Sequence, residues 1–275
     1  MHQENLEQAL DGLPLGSIRV YETIGSTNRE ALAWAKTGAP DLALVTADEQ
    51  TAGYGRRGSK WYTPKGEALA FSIILNPPFS VSQPPDSDMP GINQLSRLTT
   101  LGALAVTETL REEYNLNAKI KWPNDVLVNG CKIAGILAEA QWLGEILNAT
   151  VIGIGVNVRK GSVPVGVGLD TPANCIENLV GKPVDRAALL RKILENLIFW
   201  RQRIFTDRFL RKWENQLAYL GELIAFTREA GSGGDENFPA EVLGLEPDGS
   251  LRIRTKDGSI KALNESAYRI TPGRK

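Results

Sequence analysis

Residues 18–24, IRVYETI, mix β-branched and aromatic side chains with polar ones and read as a strand. The polar trio Ser26, Thr27 and Asn28 follows, suited to cap a helix expected over 29–36 and ended by Gly38. A second strand is expected over 42–47. The continuous apolar run ALAFSIIL at 68–75 reads as a strand buried on both faces. Between them, 53–60 is rich in glycine and arginine and breaks either period, so it is a loop. The Pro- and Ser-rich stretch 76–91 predicts an exposed excursion, and the 3.6-residue periodicity of 94–114 a helix across the sheet. Strands follow over 119–122, 126–128, 132–141 and 147–158, with Asn129-Gly130 supplying the tight turn of a hairpin.

Residues 160–172 are rich in glycine, valine and proline and read as loop. A long helical region is then expected over 186–220, where Leu189, Leu190, Ile193, Leu194, Leu197 and Ile198 form one stripe. After Gly221 the pattern shortens to strands over 223–227, 239–245, 251–254 and 259–263, separated by Gly- and Asp-bearing turns. The organisation expected is therefore α+β: a short segment at 1–16, a mixed sheet with packed helices over 17–220, and a small all-β module over 221–272. The 16 residues before Ser17 are too few for a three-helix DNA-binding head, at about 8 to 20 residues per helix.

Composition narrows the chemistry. The formal net charge of the 275-residue chain is −1, so no global basic field attracts nucleic acid. Two cysteines, Cys131 and Cys175, are too few for a disulfide scaffold, and both are expected to serve packing in a reducing cytoplasm. The single histidine, His2, leaves no material for a Ser-His-Asp triad or a histidine-ligated metal. There is no apolar run of about 18 residues to span a bilayer.

Three segments carry candidate chemistry. In QTAGYGRRGSKW (50–61), Gly53, Gly55 and Gly58 free the backbone to approach an anion, and Arg56, Arg57 and Lys60 add cations. A mobile solvated basic loop would look the same. In KWPNDVLVNGCKIAGIL (121–137), Asn124 and Asp125 offer oxygens suited to magnesium beside a triphosphate, although the same residues make an ordinary turn. Lys132 lies among apolar neighbours and needs a partner for its charge: a bound carboxylate or phosphate, or solvent reached by snorkelling. In VIGIGVNV (151–158), Gly153 and Gly155 leave a flat surface on which a purine could lie, or merely allow tight strand packing.

Taken in order, STN (26–28), QTAGYGRRGSKW (50–61), KWPND (121–125), KIAGIL (132–137) and GIGVN (153–157) resemble the biotin-protein ligase family. The resemblance implies a class II synthetase-like biotin/lipoyl ligase catalytic domain, and it makes the tail similar to that family's SH3-like barrel. It further implies a biotin site formed by Ser26, Thr27, Asn28, Gln50, Gly53, Tyr54, Gly55, Arg56 and Lys132. The nucleotide would meet Arg57, Trp61, Asn124, Lys132 and Asn157, and magnesium would meet Asn124 and Asp125. Lys132, Arg56 and Asp125 are the implied catalytic groups, with Asp125 the candidate base for the acceptor amine. ATP and Mg2+ are the implied cofactors. The biotin carboxyl carrier domain of acetyl-CoA carboxylase is the implied partner, a homodimer is allowed, and neither specific DNA nor a membrane is expected. Tyr54 and Ser59 depart from the family's commonest loop, where arginine is frequent.

The implied reaction joins biotin to ATP as an acyl-adenylate and passes the biotinyl group to a lysine. Two other readings stay open at this level. A lipoate-type ligase or acyltransferase shares the fold, but the GYGRRGSKW loop and the β-module argue against it. A non-catalytic nucleic-acid-binding module would use the arginine loop and the barrel, and the near-zero net charge argues against that.

Overall fold

A computed structural model describes residues 3–77, 91–143, 146–166, 169, 171–228, 236–264 and 267–271. Most of the excursion expected at 76–91, parts of the loop at 160–172, and His2 lie outside the described residues. The chain runs α1 (Gln3–Ala9), β1 (Ile18–Ile24), α2 (Thr27–Lys36), β2 (Ala43–Gln50), β3 (Ala68–Leu75), α3 (Gly91–Tyr114), β4 (Ala118–Lys121), β5 (Asp125–Val128), β6 (Cys131–Leu143) and β7 (Ile146–Asn157). It continues through α4 (Ile176–Val180), α5 (Arg186–Arg201), α6 (Asp207–Asn215), β8 (Leu223–Arg228), β9 (Glu236–Leu245), β10 (Leu251–Thr255), β11 (Ile260–Leu263) and β12 (Tyr268–Thr271).

Seven strands form one mixed sheet in the order β1-β2-β3-β7-β6-β5-β4, with β1 and β2 parallel and the other pairs antiparallel. All eight positions of β3 are buried because this strand has neighbours on both sides and layers on both faces. Helices α3 and α5 cover one face, packing on Leu44, Phe71, Ile73, Ile136, Ile152 and Ile154. Gly102 lets α3 come close, since a Cβ there would stand 3.0 Å from Ile136 Cγ2 and 3.1 Å from Ile152 Cγ2. The opposite face is only half covered. Ala31 and Ala35 of α2 pack on Ala43, Val45, Ile74, Ala149 and Val151. Further along the same face the strands present Gly135, Gly153 and Gly155, whose lack of side chains leaves room for groups from outside the sheet.

The structure departs from the sequence pattern in instructive places. The helical region expected over 186–220 is two helices. Thr206 caps the second, its hydroxyl accepting from Phe209 N at 3.4 Å, and Phe209 folds back edge-on against Trp200 with ring centroids 6.0 Å apart. A periodic stripe continues through such a reversal, so periodicity alone cannot find it. Helix α1 was not foreseen either: its seven residues are held by burial of Leu6 and by the contact of α1 with α5, a tertiary effect. Helix α2 starts at Thr27, two residues earlier than expected, because Gln50 Oε1 accepts from Thr27 N at 2.9 Å.

The tail is a five-stranded antiparallel sheet, β11-β10-β9-β8-β12, as fits an SH3-like module. Its apolar residues Phe226, Val242, Leu251, Ile253 and Ile270 belong to the same core as the large sheet. Polar ties fasten it: Trp122 Nε1 donates to Gly249 O at 3.2 Å, Leu245 N to Glu214 Oε1 at 2.8 Å, and Arg97 to Pro247 O. Strand β12 was missed in the sequence: YRIT alternates, but four residues are too few to stand out from the turns around them.

Candidate active site

The uncovered part of the sheet is the floor of a cavity of about 760 Å³, within the range of about 300 to 1,000 Å³ usual for ligand sites. Its floor is set by strand register. Gly135 pairs with Gly155 and Leu137 with Gly153 across β6 and β7, so the glycines cluster on one face. They are not vacant in the sense of empty space. A Cβ on Gly155 would overlap the Trp61 indole, and one on Gly153 would overlap the Asn28 amide. The flat surface suggested for a purine is thus overlaid by an aromatic of the Gly/Arg loop and by the first turn of α2.

Lys132 reaches this face through an irregularity. Strict alternation would turn it to the side of Ala134 and Ile136, beneath α3. The pairing of β5 with β6 shifts register between Val126 and Leu127, inserting one extra residue in β6. Such a bulge reverses which face a side chain meets. Lys132 Nζ consequently stands 3.3 Å from the point a Cβ on Gly135 would occupy, and 5.6 Å from the Trp61 ring centroid. Its charge has a protein partner, Asp125 Oδ1 at 2.6 Å, with 27% and 14% of the two side chains exposed. The structure therefore answers the charge question with an ion pair inside the cavity, not with snorkelling.

One end of the cavity is neutral and densely hydrogen-bonded. Gln50 Oε1 accepts from Thr27 N and from Thr27 Oγ1 at 3.1 Å, and Gln50 Nε2 donates to Thr63 Oγ1 at 3.0 Å. Ser72 Oγ lies 2.9 Å from Thr27 Oγ1 and 2.6 Å from Asn28 Oδ1, while Asn28 Nδ2 donates to Glu139 Oε2 at 2.8 Å and Leu137 O at 3.3 Å. Asn28 lines the cavity, yet its amide is wholly committed within the protein. Ser26 has extended backbone at the helix start, but its hydroxyl makes no capping bond and lines the cavity instead.

The Gly/Arg loop is a small hairpin over the floor. Tyr54 bridges to Lys60, Gly55 N donates to Ser59 O at 2.7 Å, and Trp61 N donates to Gly53 O at 3.0 Å. Arg56–Gly58 forms a single 3-10 turn at the tip, with Arg57 at φ 58°, a left-handed conformation uncommon for a residue with a side chain. Tyr54, Gly55, Arg56, Arg57 and Trp61 line the cavity. Gly53 does not; it allows close backbone approach, since a Cβ there would stand 2.6 Å from Trp61 O. At the far end, Asn124 and Asp125 line the wall, and Asn124 Nδ2 donates to Ile136 O at 3.1 Å.

Asn157 is the one other candidate placed elsewhere. It is buried away from the cavity, with Nδ2 donating to Asn174 O at 3.2 Å and Lys132 O at 3.4 Å, so it braces the Lys132 backbone. Two cations at the far end escaped the sequence reading. Lys121 is buried, its Nζ donating to Thr171 Oγ1 at 2.7 Å, and lines the cavity beside Trp122. Its strand-end position next to Asn124 and Asp125 was the available signal. Arg269 comes from β12 of the C-terminal sheet, with Tyr268 and Ile270, and had no signal in the sequence.

A sheet whose glycine floor separates a neutral polar pocket from a cluster of cations defines an enzyme of the acyl-activating ligase class. Residues 20–157 match the biotin/lipoate A/B protein ligase family, and the chain belongs to it. It is 34% identical to the biotin–[acetyl-CoA-carboxylase] ligase of Paracoccus denitrificans, over 85% of this chain and 92% of that protein. It is 30% identical to the bifunctional ligase/repressor BirA of Bacillus subtilis, over 88% of this chain and 70% of that one. Among solved structures, the biotin protein ligase of Aquifex aeolicus in complex with biotin and ATP superposes with a TM-score of 0.74 at 27% identity, covering 94% of this chain and 99% of that one. No helix among the described residues is long and apolar enough to cross a membrane.

Proposed function

We propose that this chain is a biotin-protein ligase, which activates biotin with ATP to biotinyl-5'-AMP and transfers the biotinyl group to a lysine of a biotin carboxyl carrier domain of acetyl-CoA carboxylase in the cytoplasm. The observation that carries the reading is the union of a neutral, hydrogen-bonding end and a cationic end over one glycine floor. Biotin has that same polarity, a neutral ureido ring at one end and a carboxylate at the other. Ser26, Thr27 and Gln50 would hold the ring, and Lys132 would face the carboxylate.

In the first step a carboxylate oxygen attacks the α-phosphorus and pyrophosphate leaves. Two anions must meet, so countercharges in a partly dried site matter most. Among the described residues, Arg56, Arg57, Lys60, Lys121, Lys132 and Arg269 are the cations lining the cavity. Lys132 is held by Asp125 until a ligand anion claims it, and this exchange frees the Asp125 carboxylate. The freed group is the candidate acceptor for the proton of the attacking lysine amine. Asn124 and Asp125 also suit magnesium, which needs few protein oxygens beside water and phosphate and would supply further positive charge to the triphosphate. In the second step the hairpin carrying Arg56 and Trp61 shields the mixed anhydride from water while the amine attacks and AMP leaves.

The test is pyrophosphate release from ATP with biotin, with lipoic acid and with neither. Release confined to biotin is expected. Release driven by lipoic acid would move the chain to the lipoate-type reading, and release with neither compound would remove the acyl-activating role.

A further inference from the structure

The tail meets the large sheet through the turn that joins β9 to β10, residues 246–250. Gly249 N donates to Glu246 O and Glu246 N to Ser250 O, both at 2.9 Å, and Asp248 Oδ1 accepts from Ser250 N at 2.9 Å, so the turn is closed on itself. Gly249 has φ 87°, and a Cβ there would stand 2.8 Å from Trp213 Cζ3, so glycine lets the turn enter its socket. Trp122 Nε1 donates to Gly249 O at 3.2 Å. Arg97, 6% exposed, divides its terminal nitrogens between two segments: one donates to Ile204 O at 2.7 Å, between α5 and α6, and the other to Pro247 O in the turn. A guanidinium so deeply buried is tolerated because it is hydrogen-bonded, which ties both carbonyls to one place. The same strand end is gripped a second time. Ile120 N donates to Gln216 O at 2.7 Å, Ala218 N to Ile120 O at 2.8 Å and Gly221 N to Val242 O at 2.8 Å, so the segment leading into the tail joins β4 to β9. Ile120 and Trp122 thus hold the tail, while Lys121 between them lines the cavity. From the other side of the junction Tyr268, Arg269 and Ile270 of β12 line the same cavity.

We propose that Trp122 and Arg97 are positioning residues for the nucleotide end of the site: by seating the 246–250 turn they set the C-terminal sheet, and with it Arg269, against Lys121, Asn124 and Asp125. A displacement of about 1 Å is enough to weaken a positioned group, so their loss is felt at the reactants without direct contact. The proposal rests on the ligase reading for its effect on ATP, and on the junction alone for its effect on docking.

The experiment measures biotin-dependent pyrophosphate release at varied ATP and varied biotin for full-length Trp122→Phe, Arg97→Met and Arg97→Lys, with hydrogen exchange of the same proteins beside it. Trp122→Phe keeps an aromatic ring and deletes the donor; it should raise the KM for ATP about two- to tenfold and leave the KM for biotin at the parental value. Arg97→Met should raise the KM for ATP toward that of Arg269→Ala, and Arg97→Lys, able to reach one carbonyl, should lie between Arg97→Met and the parent. Adding Trp122→Phe to Arg269→Ala should raise it no further, as for residues that act through one another. Exchange should quicken over residues 216–222 and 243–247, where the amides of Ala218 and Leu245 bond across the junction, while residues 68–75 of β3 keep the parental rate. An unchanged KM for ATP, an equal rise in the KM for biotin, or a full second increment in the double variant overturns the proposal. Exchange that quickens equally over 68–75 marks general loosening and overturns it too. A parent without biotin-dependent release defeats the ligase reading, while exchange at the junction still judges whether Trp122 and Arg97 seat the tail.

Discussion

The two ends of the cavity are built on opposite principles. At the neutral end, Thr27, Gln50, Asn28 and Ser72 come from neighbouring elements and are joined by hydrogen bonds that leave little freedom. At the cationic end, Lys132, Lys121, Arg56 and Arg269 arrive from β6, β4, a hairpin tip and a separate small sheet. A neutral ring is recognised by fixed donors and acceptors, so a rigid, satisfied network serves it. An anion is recognised by charge, and buried charge is tolerated only when paired, which Lys132 achieves with Asp125. The difference predicts that damage at the cationic end falls on the anions, in their reaction, retention or nucleotide affinity, and damage at the neutral end on stability with the reaction left in place.

The sharpest way to break this contrast is Lys132→Ala. Biotin-dependent pyrophosphate release should fall about 10²- to 10³-fold, as for loss of a transition-state countercharge; release near the parental rate would remove Lys132 from the mechanism. Arg56→Gly should leave adenylate formation in place and hasten its escape about ten- to a hundredfold, as for loss of a charge-assisted bond of about 1.5 to 3 kcal/mol. Indiscriminate labelling of added lysine-bearing protein is the readout, and full retention speaks against it. Gly155→Ala should evict the Trp61 indole from the floor. A loss of about ten- to a hundredfold in kcat/KM for ATP matches about 1 to 3 kcal/mol of overpacking, and unchanged kinetics would mean the indole is not needed there. Arg269→Ala should raise the KM for ATP about tenfold, an effect of about 1.5 kcal/mol, which measures how far the C-terminal sheet takes part. The smallest effect is expected at the neutral end: Ser72→Ala removes a donor to Asn28 and should lower stability in urea by about 1 to 2 kcal/mol, while pyrophosphate release at saturating biotin holds.

Much of this was legible along the chain. The bounds of β1 and β3 follow directly from IRVYETI and ALAFSIIL, because enrichment in β-branched and aromatic residues and an unbroken apolar run are local properties. The Asn129-Gly130 turn is equally local, with both residues at positive φ. The site was legible as motifs, and most of the residues they contain do meet in one cavity. Misplacement came where function depended on facing. Asn157 lies in a motif yet supports the Lys132 backbone from outside the cavity. Glu139 lies in no conspicuous pattern yet joins Asn28 to Tyr54.

What the order of residues determined alone was the inventory: strands and helices of given length, three glycine-bearing segments, and cations nearly balanced by carboxylates at a net charge of −1. Which of those cations share a volume was decided only in three dimensions. A bulge in β6 turns Lys132 from the helix-covered face to the cavity, and docking of the small sheet on the end of the large one delivers Arg269 across more than a hundred residues of chain. Facing and docking depend on register and on packing between distant segments, and neither is encoded in the neighbours of a single residue.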